Sequence, residues 1–153
     1  MDDQPTPPGG RFDGPRHLYA VRVYYEDTDL SGIVYHANYL RWFERARSDM
    51  LRLLGIDQRA AIELGEGAWA VASMDIAFRR PAKLDDDVVI ESRAVDLRAA
   101  SVRIQQTARR AGEVLVEAGV RVGFVAPDGR PRRQPAGWRD KFATVLPPDE
   151  SDA

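Results

Sequence analysis

The run Tyr24-Tyr25-Glu26-Asp27-Thr28-Asp29-Leu30-Ser31-Gly32-Ile33-Val34-Tyr35-His36-Ala37-Asn38-Tyr39 packs acids, a histidine, turn residues and aromatics into one stretch. A carboxylate such as Asp29 can attack a carbonyl or activate water, and imidazole is the side chain that moves protons near neutral pH. Backbone N–H groups left free at the start of a helix can bind the negative charge that develops in such a reaction. A loop between two rigid elements is where these groups meet a ligand.

The flanks supply those elements. Leu18 to Tyr25 is rich in Val and Tyr and alternates, as a strand does. From Tyr39 the apolar residues Trp42, Phe43, Ala46, Met50, Leu53 and Leu54 recur at helical spacing, with Arg41, Glu44, Arg45, Ser48, Asp49 and Arg52 on the other face and Gly55 as the stop. Trp42 and Phe43 are read as core residues. Ile56 to Leu64 adds a short second helix. The period then becomes two, giving strands over Trp69–Phe78, Val88–Val95, Ala100–Arg110 and Val114–Val125. A strand, one long helix and a run of strands joined by short turns predict an α+β fold, an antiparallel sheet of about five strands holding one helix. One helix leaves part of that sheet uncovered, so a homo-oligomer is expected.

The 153 residues suit one domain. Residues 1–15 hold four Pro, three Gly and three Asp and are read as a disordered tail, 16–146 as the single domain and 147–153 as an acidic tail. Lys and Arg number 22 against 24 Asp and Glu, a net charge of -2, so no global basic field points to nucleic acid. With no cysteine, disulfides, thiolate metal sites and a cysteine nucleophile are excluded. His17 and His36 are the only histidines and no cluster has zinc spacing, so no metal is expected. No run approaches the roughly 18 apolar residues of a membrane span and no leader pattern is present, which makes a soluble cytoplasmic protein the simplest reading.

Tyr24 to Asp29, Gly32 to Tyr39 and Phe43-Glu44-Arg45-Ala46-Arg47, followed by Pro81-Ala82-Lys83-Leu84-Asp85-Asp86, Ser101, Gln106 and Pro135, resemble the hotdog-fold acyl-CoA thioesterases. The similarity is to the Tol-Pal-associated (YbgC-like) branch of the 4-hydroxybenzoyl-CoA thioesterase family and spans roughly Leu18 to Pro135. It implies a curved antiparallel sheet wrapped around the long helix, with active sites where two subunits meet; many relatives are dimers of dimers, hence an expected homotetramer. The essential carboxylate of the family maps onto Asp29 and the histidine of the branch onto His36. Aryl-CoA relatives carry an aromatic residue in place of that histidine, so the resemblance implies for His36 the aliphatic or less specialised acyl-CoA branch, and a short-to-medium aliphatic acyl group is the expected substrate.

The implied reaction is hydrolysis of an acyl-CoA or acyl-carrier-protein thioester to free acid and thiol, with coenzyme A part of the substrate and no further cofactor. Asp29 activates water or attacks the carbonyl to give a mixed anhydride. His36 orients Asp29 or the substrate, or protonates the thiolate, and the N–H groups of Tyr35 and His36 bind the oxyanion. Gly32 permits a close approach or an unusual dihedral, and Asn38 caps the helix in preference to touching substrate. Gly32, Ile33, Val34 and Asn38 form the near part of the substrate-binding set. Arg98, Ser101, Arg132 and Arg133, with Arg130, form its nucleotide-facing part. Arg98 and Ser101 match positions near the nucleotide in aryl-CoA relatives, whereas Ala99 and Ala100 replace basic residues there. Glu26 and Asp27 are read as structural or solvated. Two other readings stand beside hydrolysis: a hotdog hydratase or dehydratase, and a nonenzymatic acyl-CoA or carrier-protein adaptor near the cell envelope.

Overall fold

The computed structural model describes residues 3–147. Its elements run β1 (Arg11–Asp13), β2 (Arg16–Arg22), α1 (Ala37–Leu53), α2 (Gln58–Glu63), β3 (Ala68–Phe78), β4 (Asp87–Leu97), β5 (Ser101–Arg110), β6 (Glu113–Val125) and α3 (Trp138–Ala143). All six strands join one antiparallel sheet in the order β1-β2-β4-β5-β6-β3. With α1 against one face, this is the hotdog arrangement.

The apolar spacing predicted for α1 holds: Trp42, Phe43, Ala46 and Met50 are buried, while Leu53 lies half exposed. Burying each such large side chain contributes about 1.5–3 kcal/mol. One end of α1 packs with Val23, Val34, Val88, Ile90 and Val116, the other with Ile104, Val120, Phe124 and Phe142. The helix stops where expected. Gly55 takes φ 79°, and the N–H groups of Gly55 and Ile56 return to the carbonyls of Arg52 and Leu51.

Several boundaries differ from the sequence reading. Strand β2 ends at Arg22 and a 3-10 turn occupies Tyr25–Asp27, because the acids there bond locally: the Asp27 carboxylate accepts the Tyr24 N–H at 2.8 Å. The second helix is limited to α2, capped by Asp57 on the Ala60 N–H at 2.9 Å. Arg11–Asp13, inside the segment read as a tail, pairs with β2 as a sixth strand. α3 was not foreseen; Trp138 and Phe142 stack it on Trp69 and Phe124. Bulges near Ala72 and Val95 break the simple alternation expected in β3 and β4. Apart from Pro147, the acidic tail lies outside the described residues.

Polar groups also enter the core. Arg47 and Gln106 are buried, and the Gln106 amide donates to the Phe43 carbonyl at 3.0 Å and to Ser92 Oγ at 2.9 Å while accepting from Arg47 at 2.9 Å. Asp49, assigned by spacing to the solvent face of α1, instead holds the N-terminal segment. Its carboxylate meets buried His17 Nε2 at 2.7 Å and accepts the Gly10 N–H at 3.0 Å.

Candidate active site

The segment between β2 and α1 folds back on itself. Thr28 and Val34 form an isolated antiparallel bridge, and Ile33 bridges to Lys83. Within this loop the Asp29 N–H donates to the Ile33 carbonyl at 2.9 Å and the Gly32 N–H to the Asp29 carbonyl at 3.0 Å. Gly32 sits at φ 83°, the left-handed conformation that closes such a turn and that its lack of a Cβ permits. Gly32 thus has the unusual dihedral expected of it.

Asp29 is exposed in the single chain, and its carboxylate is held by Ser31. One oxygen accepts the Ser31 N–H at 2.8 Å and also the Ser31 hydroxyl. These bonds, the hydroxyl first, hold the Asp29 carboxyl below the usual carboxylate range. The sequence reading missed Ser31, although an Asp followed two residues later by Ser is the pattern of an Asx turn. Asp29 and His36 make neither a hydrogen bond nor an ion pair with each other; the side chain that bonds to the Asp29 carboxylate is that of Ser31.

The start of α1 decides which backbone donors are free. The Tyr35 N–H is committed to the Asp27 carbonyl at 2.8 Å, which corrects its expected place among the oxyanion donors. Asn38 and Tyr39 bond to the Tyr35 and His36 carbonyls at 2.9 and 3.3 Å. Among the described residues the N–H groups of His36 and Ala37 have no acceptor. They open α1, where the helix dipole favours negative charge.

Asn38 is buried, and it is not the cap of α1, which begins one residue earlier. Its amide donates to the Asp27 carbonyl at 2.8 Å. Asp27 therefore acts as the structural residue expected, tying the loop to α1 through its carbonyl and closing its own turn through its carboxylate, which accepts the Tyr24 N–H.

Ile33, Val34, His36, Tyr39, Phe78 and Pro81 line an open groove of about 300 Å3 beside this loop. Val34 and Tyr39 are buried in its floor, and Phe78 meets the His36 ring edge-on at 6.0 Å. Tyr39 is held in place by its hydroxyl, which accepts the Ala82 N–H at 3.0 Å, and Arg110 donates to the carbonyl of Pro81 at 3.3 Å. Ile33 and Val34, expected among the substrate-binding residues, thus line this groove, and the exposed His36 also borders it.

Arg98, Ser101, Arg132 and Arg133 are not brought to this groove. They lie at the end of the sheet where Ser101 pairs with Gly123 and Ala68 with Val125, whereas the groove lies at the Phe78 end. Strands of ten or more residues separate the two ends by about 30 Å. Arg98 pairs with Asp96 at 3.1 Å, Ser101 accepts from Arg121 at 3.1 Å, and Arg132 donates to the Glu66 carbonyl at 2.7 Å. Arg130 makes a long pair with Asp128 at 3.8 Å, and Arg133 is exposed.

Among the described residues no group of three or more His, Asp or Glu side chains could hold a metal ion, and no helix is long and apolar enough to cross a membrane. Residues 31–117 match the profile of the Thioesterase superfamily. The acyl-CoA thioesterase YbgC of Haemophilus influenzae is 40% identical over 107 residues, covering 70% of this chain and 79% of that protein. A probable thioesterase from Bartonella henselae superposes with a TM-score of 0.74 at 37% identity, covering 78% of this chain and 99% of that one. A Thermus thermophilus thioesterase complexed with coenzyme A and zinc superposes with a TM-score of 0.71 at 26% identity, covering 88% and 96%.

Proposed function

The chain belongs to the thioesterase superfamily, and from that premise we propose that it hydrolyses acyl-CoA thioesters of short-to-medium aliphatic acids at the loop between β2 and α1. The observation that carries this reading is one short segment, residues 28–37, that carries the Asp29 carboxylate, held by Ser31, and the unpaired N–H groups of His36 and Ala37, and whose Ile33, Val34 and His36 line one groove.

In this reading the thioester carbonyl oxygen points at the His36 and Ala37 N–H groups, which stabilise the tetrahedral oxyanion as it forms. Asp29 attacks the carbonyl carbon or takes a proton from the attacking water, and both routes start from the carboxylate form that Ser31 stabilises. The C–S bond then breaks, and the departing thiolate is protonated by the His36 imidazole or by solvent; on the water route this releases the free acid directly, and on the nucleophilic route it leaves an acyl anhydride on Asp29 that a water hydrolyses to free acid and the Asp29 carboxylate. Coenzyme A leaves as product, no further cofactor takes part, and the reaction is placed in the cytoplasm. The names of the Haemophilus and Thermus relatives support coenzyme A as the carrier.

A homodimer completes the site. β3 is an edge strand of 11 residues with exposed Val71 and Phe78, an open template for a second strand. Antiparallel pairing of two β3 strands about a two-fold axis sets the Ala68 end of one beside the Phe78 end of the other. That brings the Arg98, Ser101, Arg132 and Arg133 end of one subunit toward the Asp29 groove of its partner.

The test is thiol release from purified protein on short, medium, long and aromatic acyl-CoAs, with Asp29→Asn alongside. Turnover with an aliphatic preference, lost at least ~100-fold in the variant, supports the reading. Inert substrates, or a variant as fast as wild type, would overturn it in favour of thioester binding or hydration.

A further inference from the structure

Residues 79–86 join β3 to β4 beside the groove and include the run Pro81-Ala82-Lys83-Leu84-Asp85-Asp86. Ala82 is fully buried, and its peptide groups bond in two directions. Its N–H donates to the Tyr39 hydroxyl on α1 at 3.0 Å, and its carbonyl accepts the Val34 N–H at 2.9 Å. Lys83 bridges to Ile33, whose carbonyl accepts the Asp29 N–H at 2.9 Å. The turn carrying Asp29 and the first turn of α1, with its unpaired His36 and Ala37 N–H groups, are thus both tied to one short piece of backbone, Ala82-Lys83.

A carboxylate holds that piece in turn. Asp86 Oδ2 accepts the Lys83 N–H at 2.8 Å, and the Asp86 N–H returns to the Lys83 carbonyl at 3.0 Å. The same oxygen accepts from Arg110 on β5 at 2.8 Å, and the Arg110 nitrogen that donates to it also reaches the Pro81 carbonyl at 3.3 Å. Both neighbours of Ala82 are therefore fixed from Asp86 and Arg110. The Lys83 N–H first, and the Arg110 guanidinium after it, hold the Asp86 carboxyl below the usual carboxylate range. Inside this turn Asp85 sits at φ 68°, a left-handed conformation uncommon for a residue with a Cβ and kept only where the surroundings over-determine it. Here they do: the Asp85 N–H donates to the Val23 carbonyl at 3.0 Å, and the Val23 N–H to the Asp86 carbonyl at 2.9 Å.

We propose that Asp86 is a positioning residue for the reaction: with Arg110 it fixes Pro81 to Lys83, and through Ala82 and Ile33 it sets the Asp29 carboxylate against the His36 and Ala37 N–H groups. Asp86 and Arg110 stand outside the groove lining, so their effect passes through the backbone they hold. A reacting group misplaced by about 1 Å loses roughly 100-fold in rate, which is why such a tie matters. The effect on catalysis rests on the thioesterase reading; the hold on the Asp29 turn does not.

The test compares Asp86→Ala, Arg110→Gln and the double variant with wild type, well below their melting temperatures. Asp57→Ala, which removes the cap of α2, serves as a control that lowers stability away from the loop. By amide hydrogen exchange, the Val34 and Asp29 N–H groups of the three variants exchange at least ~10-fold faster relative to the Ile104 N–H of β5, and those of the control keep the wild-type ratio. In thioester hydrolysis kcat falls ~10- to 100-fold with KM changed less than ~3-fold, and the double variant loses no more than the worse single one, because the two residues act through one contact. The control keeps the wild-type kcat.

Unchanged relative exchange at Val34 and Asp29, or a wild-type kcat in variants that only melt earlier, would overturn the proposal. If Asp86→Ala fails to fold, Asp86→Asn, which keeps an oxygen for the Lys83 N–H but offers Arg110 no charge, shows a smaller loss in the same direction. Thioesters inert with wild-type protein would overturn the thioesterase reading, and the exchange data would then decide by themselves whether Asp86 holds the Asp29 turn.

Discussion

Ser31 donates twice to one carboxylate oxygen of Asp29, through its backbone N–H at 2.8 Å and through its hydroxyl. Both of these bonds end on the same oxygen, Oδ1. The turn that makes these bonds also opens α1 with two unpaired N–H groups, so the negative group and the site for negative charge are set by one short piece of chain.

Because hydrogen bonds to the charged form lower the Asp29 pKa, the carboxylate persists as pH falls, and the acid limb of kcat/KM lies below the usual Asp value of about 3.9. Ser31→Ala removes the larger cause, so that limb moves to higher pH. A pH–rate profile of both proteins, run where melting curves show them folded, checks this. An unmoved limb would mean that Asp29 is not the group being titrated.

His36 offers a side chain and a backbone N–H, and two variants separate them. Its φ of -55° fits proline, so His36→Pro removes the N–H with the first turn of α1 otherwise suited to it. Loss of an oxyanion donor lowers kcat by about 100- to 1,000-fold. His36→Ala keeps the N–H and should lose far less. Steady-state kinetics of the pair with comparable melting temperatures decides it; equal losses would assign the effect to the imidazole.

Asn38→Ala leaves the Asp27 carbonyl without the buried amide that meets it at 2.8 Å. A destabilisation of about 1–3 kcal/mol is expected, read from the denaturation midpoint, with activity falling as the loop loosens. Asn38→Asp, which has no amide donor, behaves like Ala if the bond to Asp27 is the reason.

Burial pulls the His17 pKa down, against the opposing pull of Asp49. The folded protein then binds a proton on His17 less readily than the unfolded chain does. Stability is therefore full above the unfolded value of about 6.5 and declines as pH falls through it toward the lower folded value. Thermal melts from pH 8 to pH 5 should show this decline, and His17→Gln should flatten it. A slope that survives in the variant would place its origin elsewhere.

Val71 is half exposed on the β3 edge. Val71→Lys adds a charge to the strand proposed to pair between subunits, a common way of blocking edge pairing. Light scattering should find a monomer where wild type is a dimer or larger, with hydrolysis lost in parallel. A variant that keeps both its assembly and its rate would remove β3 from the interface.

Local chemistry is why the helix, the core strands and the loop carrying Asp29 and His36 could be read from the sequence alone. The apolar spacing of Trp42, Phe43, Ala46 and Met50 fixes the buried face of α1, the alternation in Val116 to Phe124 fixes that of β6, and acids beside Gly32 mark a turn. The resemblance named the family from the same residues. Long-range pairing decided the rest. Arg47 meets Gln106 59 residues away and His17 meets Asp49 32 residues away, so the burial of these polar side chains follows from strand order and helix placement and leaves no mark on local periodicity. The same holds for Tyr35, whose N–H is taken by Asp27 once the loop folds back, and for Arg98 and Arg132, which β4 and β6 carry to the far end of the sheet.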